Sequence, residues 1–248
     1  FDVGIHQLGG FSVSLLPMEI SLGKRESIHD VAKNLERMVQ AIMIRTFSHQ
    51  IVVDMARFAS IPIINGLTDY SHPCQALADF LTIQEVKGDL RGLKLCFVGD
   101  GNNVAHSLMF TGARLGTHVT IACPKGYEPR PVALQYATED AKETGARIEV
   151  VHDPFEGVRD ADVIYTDVWA SMGQESEVEA RKAIFHPFQV NKQLMAKAKS
   201  GAIFMHCLPA HRGDEVTDEV VDSAISVVFQ EAENRLHAQK AVMYQLMK

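Results

Sequence analysis

The sequence predicts an α/β protein of two lobes, each with a central parallel sheet flanked by helices, the lobes being joined by interdomain helices. Three observations lead there. Short, continuous apolar runs alternate with helix-length segments, the pattern of strands covered on both faces. Polar clusters recur where those runs end, the edge of a parallel sheet at which ligands bind. One long helical segment, roughly 73–87, separates two series of such runs.

Residues 1–8 read as a helix already under way, without an initiator Met or a capping side chain, so further chain is expected before Phe1. Ser27 can cap a helix through residue 38, with apolar Ile28, Val31, Leu35, Met38 and Val39 at helical spacing. The apolar run 41–44 ends at Arg45-Thr46. Residues 49–59 then read as a helix, and 61–64 as a strand ending in Asn65-Gly66. Pro73 suits the first position of the long helix, which stops near Gly88. After Arg91-Gly92 the pattern restarts, with strands expected at 93–98, 118–122, 147–151, 163–166 and 202–205. A last helix over about 230–247 carries Ala232, Leu236, Ala238, Ala241, Val242 and Leu246. The expected division is one domain over 1–86, completed by the C-terminal helix 230–248, and a second over 87–229.

Composition narrows the function classes. At 248 residues and 46% hydrophobic, the chain can bury one large core or two smaller ones. With 24 Lys+Arg against 31 Asp+Glu and no basic stripe, nucleic acid is not an expected partner. No apolar segment approaches the roughly 20 residues of a membrane helix, and no secretory signal is present. Cys74, Cys96, Cys123 and Cys207 show no C-x-x-C spacing, so reduced thiols and a cytoplasmic setting are expected, without a disulfide framework or a metal site.

The clusters carry the chemistry. Gly99-Asp100-Gly101-Asn102-Asn103-Val104 follows a strand and opens a helix, as a dinucleotide fingerprint does. Yet Val104 takes the third glycine position, and the next strand ends Ala122-Cys123-Pro124 with no acid for a ribose. Two adjacent amides suit a small polar ligand instead, with Asn102 the natural helix cap. Arg45 ends an apolar strand, where a guanidinium needs an anion or a surface ion pair. His72-Pro73-Cys74-Gln75 starts the long helix, whose N-terminus favours a phosphate. Asp167, after strand 163–166, can cap a helix or hold an ammonium, and Ser171-Met172-Gly173 forms a turn beyond it. In Glu231-Ala232-Glu233-Asn234-Arg235-Leu236-His237 most charges are expected to be solvated, with Arg235 the one that can face a cleft. The segment from His206 to Gly213 crowds Cys207, two imidazoles and Arg212 at a strand end. Cys207 can serve as a nucleophile or, the preferred reading, shape the pocket.

Six of these segments, in order, resemble the ornithine enzymes of the aspartate/ornithine carbamoyltransferase family. They are Arg45-Thr46-Phe47, the run from His72 to Asp79, the run from Gly99 to Ser107, the run from Asp167 to Gly173, the run from His206 to Pro209, and the run from Glu233 to His237. The resemblance implies transfer of a carbamoyl group from carbamoyl phosphate to L-ornithine, giving citrulline and phosphate. It implies that Arg45, His72, Pro73, Cys74, Gln75 and Arg235 hold carbamoyl phosphate, helped by the backbone at Cys207 and Leu208. Asn103, Asp167, Ser171 and Met172 would hold ornithine, and Arg45, His72 and Cys207 would be catalytic. No cofactor, metal or covalent intermediate is implied, and the family's basic unit is a homotrimer. Two departures stand out: the family's Ser-Thr-Arg-Thr-Arg loop would precede Phe1, and Ser21 replaces a Gln before Leu22-Gly23. The alternatives are a carbamoyltransferase for another amine, such as putrescine, and a catalytically inactive relative. A nicotinamide dehydrogenase is a poor third.

Overall fold

Alternating apolar strands and helices build two parallel sheets in a computed structural model that describes residues 1–16, 20, 25–170 and 177–248. The chain opens with α1 (Asp2–Gln7) and α2 (Ile28–Leu35). Ser27 caps α2 as expected, its hydroxyl accepting from the Asp30 N–H at 3.0 Å. The helix ends at Leu35 rather than residue 38; Met38, 67% exposed, gains little burial that would favour extending it. Just past that end, the Glu36 carboxylate receives the N–H and hydroxyl of Ser60 at 2.7 and 2.9 Å.

Strands β1 (Ile42–Arg45) and β2 (Ile63–Leu67) flank α3 (His49–Phe58) and form the smaller sheet. β2 runs to Leu67 instead of stopping at Ile64, because Asn65 continues the ladder opposite Ile44 and Leu67 pairs with Arg45. Gly66 permits that approach: a Cβ there would lie 2.5 Å from the Met43 sulfur. The long helix α4 (Pro73–Lys87) has the expected bounds, with Pro73 at its start and Gly88 at a φ of 83° closing it.

The larger sheet contains β3 (Lys94–Val98), β4 (His118–Ala122), β5 (Ile148–Val151), β6 (Val163–Thr166) and β7 (Ile203–His206). Its helices are α5 (Asn103–Leu115), α6 (Pro131–Thr144), α7 (Pro154–Val158), α8 (Val178–Phe185), α9 (Lys192–Met195) and α10 (Asp218–Val221). The strand order is β5-β4-β3-β6-β7. From β3 the chain first winds outward to β4 and β5, then returns to β6 on the other side. A crevice therefore opens at the carboxyl ends of β3 and β6.

Alternation along the strands feeds two cores. Leu95, Phe97, Tyr165 and Met205 face α5, while Cys96, Val98, Ile164 and Phe204 face Val158, Leu194 and Val216. Burying each large side chain is worth roughly 1.5–3 kcal/mol. The final helix, α11 (Val228–Met247), packs along α4 and touches both β7 and α1. Asn234 Nδ2 on α11 donates to Thr82 Oγ1 and Glu85 Oε2 on α4, at 2.9 and 2.7 Å. The four cysteines are free thiols, and among the described residues no helix is long and apolar enough to cross a membrane.

Candidate functional site

Glycines and amides after β3 shape one wall of the crevice. Asn102 Oδ1 caps α5, accepting from the N–H groups of Val104 and Ala105 at 2.9 and 3.1 Å. Its Nδ2 donates to Asp167 Oδ2 at 2.9 Å. Asn103 Nδ2 instead donates to the Thr68 carbonyl at 2.6 Å, tying the start of α5 to the loop after β2. The fingerprint-like glycine has a local cause. A Cβ at Gly101 would lie 2.2 Å from Pro129 N, so the chain's own backbone takes the close approach that glycine allows.

Asp167 sits at the end of β6 and is 8% exposed. Its Oδ1 accepts from the Val168 N–H at 2.8 Å and from the Cys207 thiol at 3.1 Å. Burial pushes that thiol well above its ordinary range, and the carboxylates of Asp167, Glu231 and Asp79 push it further. Cys207 is a neutral hydrogen-bond donor here, which sets the nucleophile reading aside, because the thiolate is the reactive form.

The rest of that strand-end cluster disperses. His206 is fully buried and turns to Glu215, Nε2 to Oε1 3.2 Å, while its Nδ1 accepts from the Leu208 N–H at 2.8 Å. Arg212 pairs with Asp218 and Asp222 at 2.8 and 2.7 Å on the surface. Leu208 has a φ of 54°, a left-handed conformation that costs a β-carbon residue about 1 kcal/mol or more. Donor atoms of Asp167, His206 and Cys207 lie within 4.8 Å of one another. Each is engaged in the hydrogen bonds just described, so a metal would have to displace all of them.

Facing this wall is the start of α4. His72 is its N-terminal flanking residue, 6% exposed, with its N–H donated to Ser107 Oγ at 2.7 Å. Nδ1 of the ring has no partner among the described residues. Burial, joined by the guanidinium groups of Arg235 and Arg45, pulls the imidazole down to about 3. Two cations from different elements, β1 and α11, thus act on one neutral ring. Arg235 Nη1 also donates to Gln75 Oε1 at 2.6 Å. Cys74, expected on the carbamoyl phosphate side, lies in the first turn of α4. Its sulfur turns to the Asn65 carbonyl at 3.4 Å and packs with Ile64 and Met243.

Glu231 corrects the expectation of a solvated charge, since it is completely buried. Its Oε1 accepts from Tyr165 Oη at 3.0 Å and from Gln75 Nε2 at 3.2 Å, and its Oε2 from the His206 N–H at 3.0 Å. Gln75 Nε2 also donates to Asp79 Oδ1 at 2.8 Å. Neither carboxyl group stands out in the sequence reading. The signal available was spacing: Asp79 follows Gln75, and Arg235 follows Glu231, by one helical turn on facing helices. The predicted residues Ser171 and Met172, and Ser21 as well, lie outside the described residues.

Arg45, His72 and Arg235 at a helix start offer a phosphate its cations and donors. Asp167, dressed by Asn102 and Cys207, offers an ammonium its counter-charge. Between them lie a neutral imidazole and a neutral thiol. Two family domains match the chain. Residues 1–85 match the family domain described as aspartate/ornithine carbamoyltransferase, carbamoyl-P binding domain, and residues 91–246 match its Asp/Orn binding domain. An ornithine carbamoyltransferase of Thermococcus kodakarensis is 60% identical over 247 residues, covering 100% of this chain and 78% of that protein. The solved ornithine carbamoyltransferase of Pyrococcus furiosus superposes with a TM-score of 0.96 at 56% identity, over 99% of this chain and 79% of that one. An anabolic ornithine carbamoyltransferase of Campylobacter jejuni gives 0.94 at 37% identity, over 99% and 82%.

Proposed function

This chain belongs to the aspartate/ornithine carbamoyltransferase family, and from that premise we propose how its residues move a carbamoyl group from carbamoyl phosphate to L-ornithine, releasing L-citrulline and phosphate. The observation that carries the reading is the pair of guanidinium groups, Arg45 and Arg235, acting on the buried neutral ring of His72. An acyl phosphate needs cations at its phosphate and a donor at its carbonyl oxygen. Arg45 and His72 donate to that oxygen as negative charge develops on it. A ring pulled down to about 3 remains neutral at physiological pH, so it serves as a donor without adding a third charge. Arg235 and the backbone at Cys207-Leu208 hold the phosphate end, and Gln75 the carbamoyl end.

Asp167 binds the α-ammonium of ornithine and Asn103 reaches its carboxylate, with Ser171 and Met172 closing over the substrate. Cys207 lies beside the attacking nitrogen and orients it. The amine lone pair forms the new C–N bond as the C–O bond to phosphate breaks, and the proton lost from the nitrogen passes to the departing phosphate. Holding two small polar molecules in line supplies much of the acceleration.

The carbamoyl phosphate side is assigned to residues 1–86 with helix 230–248, and the ornithine side to 87–229. A homotrimer in the cytoplasm is proposed with this reading, and the anabolic names of the Pyrococcus furiosus and Campylobacter jejuni relatives support a biosynthetic direction. Asp167 favours ornithine over putrescine, which has no α-ammonium to meet it. The test is an amine panel with carbamoyl phosphate: citrulline from ornithine is expected, and preference for putrescine overturns the substrate. Light scattering that returns a monomer overturns the trimer.

A further inference from the structure

Two buried carboxyl groups that the mechanism above leaves unused stand directly behind Gln75. Asp79 and Glu231 are both fully buried, on facing helices, and both receive Gln75 Nε2, at 2.8 and 3.2 Å. With both amide hydrogens taken by carboxyl oxygens, Gln75 Oε1 is left for Arg235 Nη1 at 2.6 Å. The reverse orientation of the amide would set its oxygen against two acidic groups and its NH₂ against a guanidinium. We propose that Asp79 and Glu231 are positioning residues of the carbamoyl phosphate site, fixing the orientation of the Gln75 amide and, through it, the guanidinium of Arg235. The inference rests on the function proposed above and adds to it the groups that hold the site ready.

The pair holds at least one proton at neutral pH. Two carboxylates this close, removed from water, cannot both be charged. Burial raises both groups, Asp79 up to about 7 and Glu231 well above the usual carboxylate range, and they lie close enough to hydrogen-bond to each other. The other titratable groups beside the pair are Tyr165 from β6, Cys207 after β7, and Arg235 on α11. Arg235 is the one cation among these, and Gln75 takes it up. The Glu231 carboxyl already accepts three hydrogen bonds, from Tyr165, Gln75 and the His206 N–H, whereas Asp79 accepts one, from Gln75, and its Oδ2 has no donor among the described residues. Asp79 is thus the member with room for the proton, on Oδ2.

That asymmetry makes the test. Calorimetry with phosphonoacetamide, a stable mimic of carbamoyl phosphate, measures the site without needing ornithine, and steady-state kinetics supply both KM values. Asp79→Ala is expected to raise the phosphonoacetamide Kd and the carbamoyl phosphate KM about ten-fold or more, with the ornithine KM within about two-fold. Asp79→Asn mimics the protonated acid and is expected to recover most of that loss. Glu231→Gln places an NH₂ against an existing donor and is expected to raise the Kd as Asp79→Ala does. Between pH 7 and 9 the unsubstituted protein should lose affinity more steeply than Asp79→Asn, which has no proton to give up. Should Asp79→Ala fail to fold, the contrast between Asp79→Asn and Glu231→Gln decides alone. Equal effects of those two, or an unchanged Kd in Asp79→Ala, overturns the inference while leaving the proposed function intact. Failure of the unsubstituted protein to bind phosphonoacetamide overturns both.

Discussion

The sulfur of Cys207 lies 3.1 Å from Oδ1 of Asp167, with the thiol as donor. This one contact ties the ends of β6 and β7 together and determines the character of both side chains. The carboxylate keeps its orientation through Cys207, Asn102 and the Val168 N–H. The thiol keeps its proton because a thiolate there would be partly removed from water and would face a carboxylate.

Cys207 should therefore react slowly with iodoacetamide between pH 7 and 8, more slowly than a free thiol with a pKa near 8.5. Mass-spectrometric mapping of alkylation against time checks this. Fast labelling at Cys207 ahead of an exposed model thiol would show a thiolate and contradict the geometry.

Asp167→Ala is expected to raise the ornithine KM roughly 10- to 100-fold, the loss of one charge-assisted hydrogen bond of about 1.5–3 kcal/mol. The carbamoyl phosphate KM should change by less than about three-fold. Equal changes in both would remove Asp167 from the ornithine side.

Acid should weaken the fold through two histidines. His106 is lowered to about 4 and His72 to about 3 from an ordinary 6.5, burial being the main cause in each. Both bind fewer protons folded than unfolded, so their contribution is complete above about pH 6.5 and disappears as pH falls toward 4 and 3. Asp79, raised to about 7 from 3.8, acts in the opposite sense, its contribution declining as pH rises between those values. His106 Nε2 accepts from the Arg130 N–H at 3.0 Å, and its Nδ1 meets the Tyr70 carbonyl at 2.8 Å. A glutamine can reproduce both bonds without titrating. Urea unfolding at pH 7.5 and 5.0 should show the pH dependence of stability changing in His106→Gln by up to about 2 kcal/mol, in the direction of less acid loss.

Gly101→Ala should destabilise by about 2 kcal/mol or more, since its Cβ would strike Pro129 N and the Glu128 carbonyl carbon, at 2.2 and 2.4 Å, which are backbone atoms that cannot swing aside. Thermal melts read the effect. An unchanged Tm would mean that the 124–130 segment yields easily.

Helix α4 and strands β4 and β6 were legible to the residue, because Pro73, Gly88 and unbroken apolar runs punctuate them locally. Where an end depends on packing, the sequence is silent: Met38 continues an apolar stripe that no neighbour covers. The site divides in the same way. Arg45, His72, Asp167 and Cys207 follow apolar strands or begin a helix, positions readable from pattern alone. Glu231 was misjudged because a charge near a helix start looks solvated until a second helix, a tyrosine and a backbone N–H are seen to surround it.

The short strip from Thr68 to Ser71 is bonded to both halves of the molecule. The Asp69 N–H donates to the Phe47 carbonyl on one side, while Thr68 O receives Asn103 and Asp69 Oδ2 receives Arg130 on the other. A segment shared in this way acts as a spacer. It holds the end of the smaller sheet against the start of α5, so the separation of the Arg45 and Asp167 sides is set in part by the length and bonding of this strip.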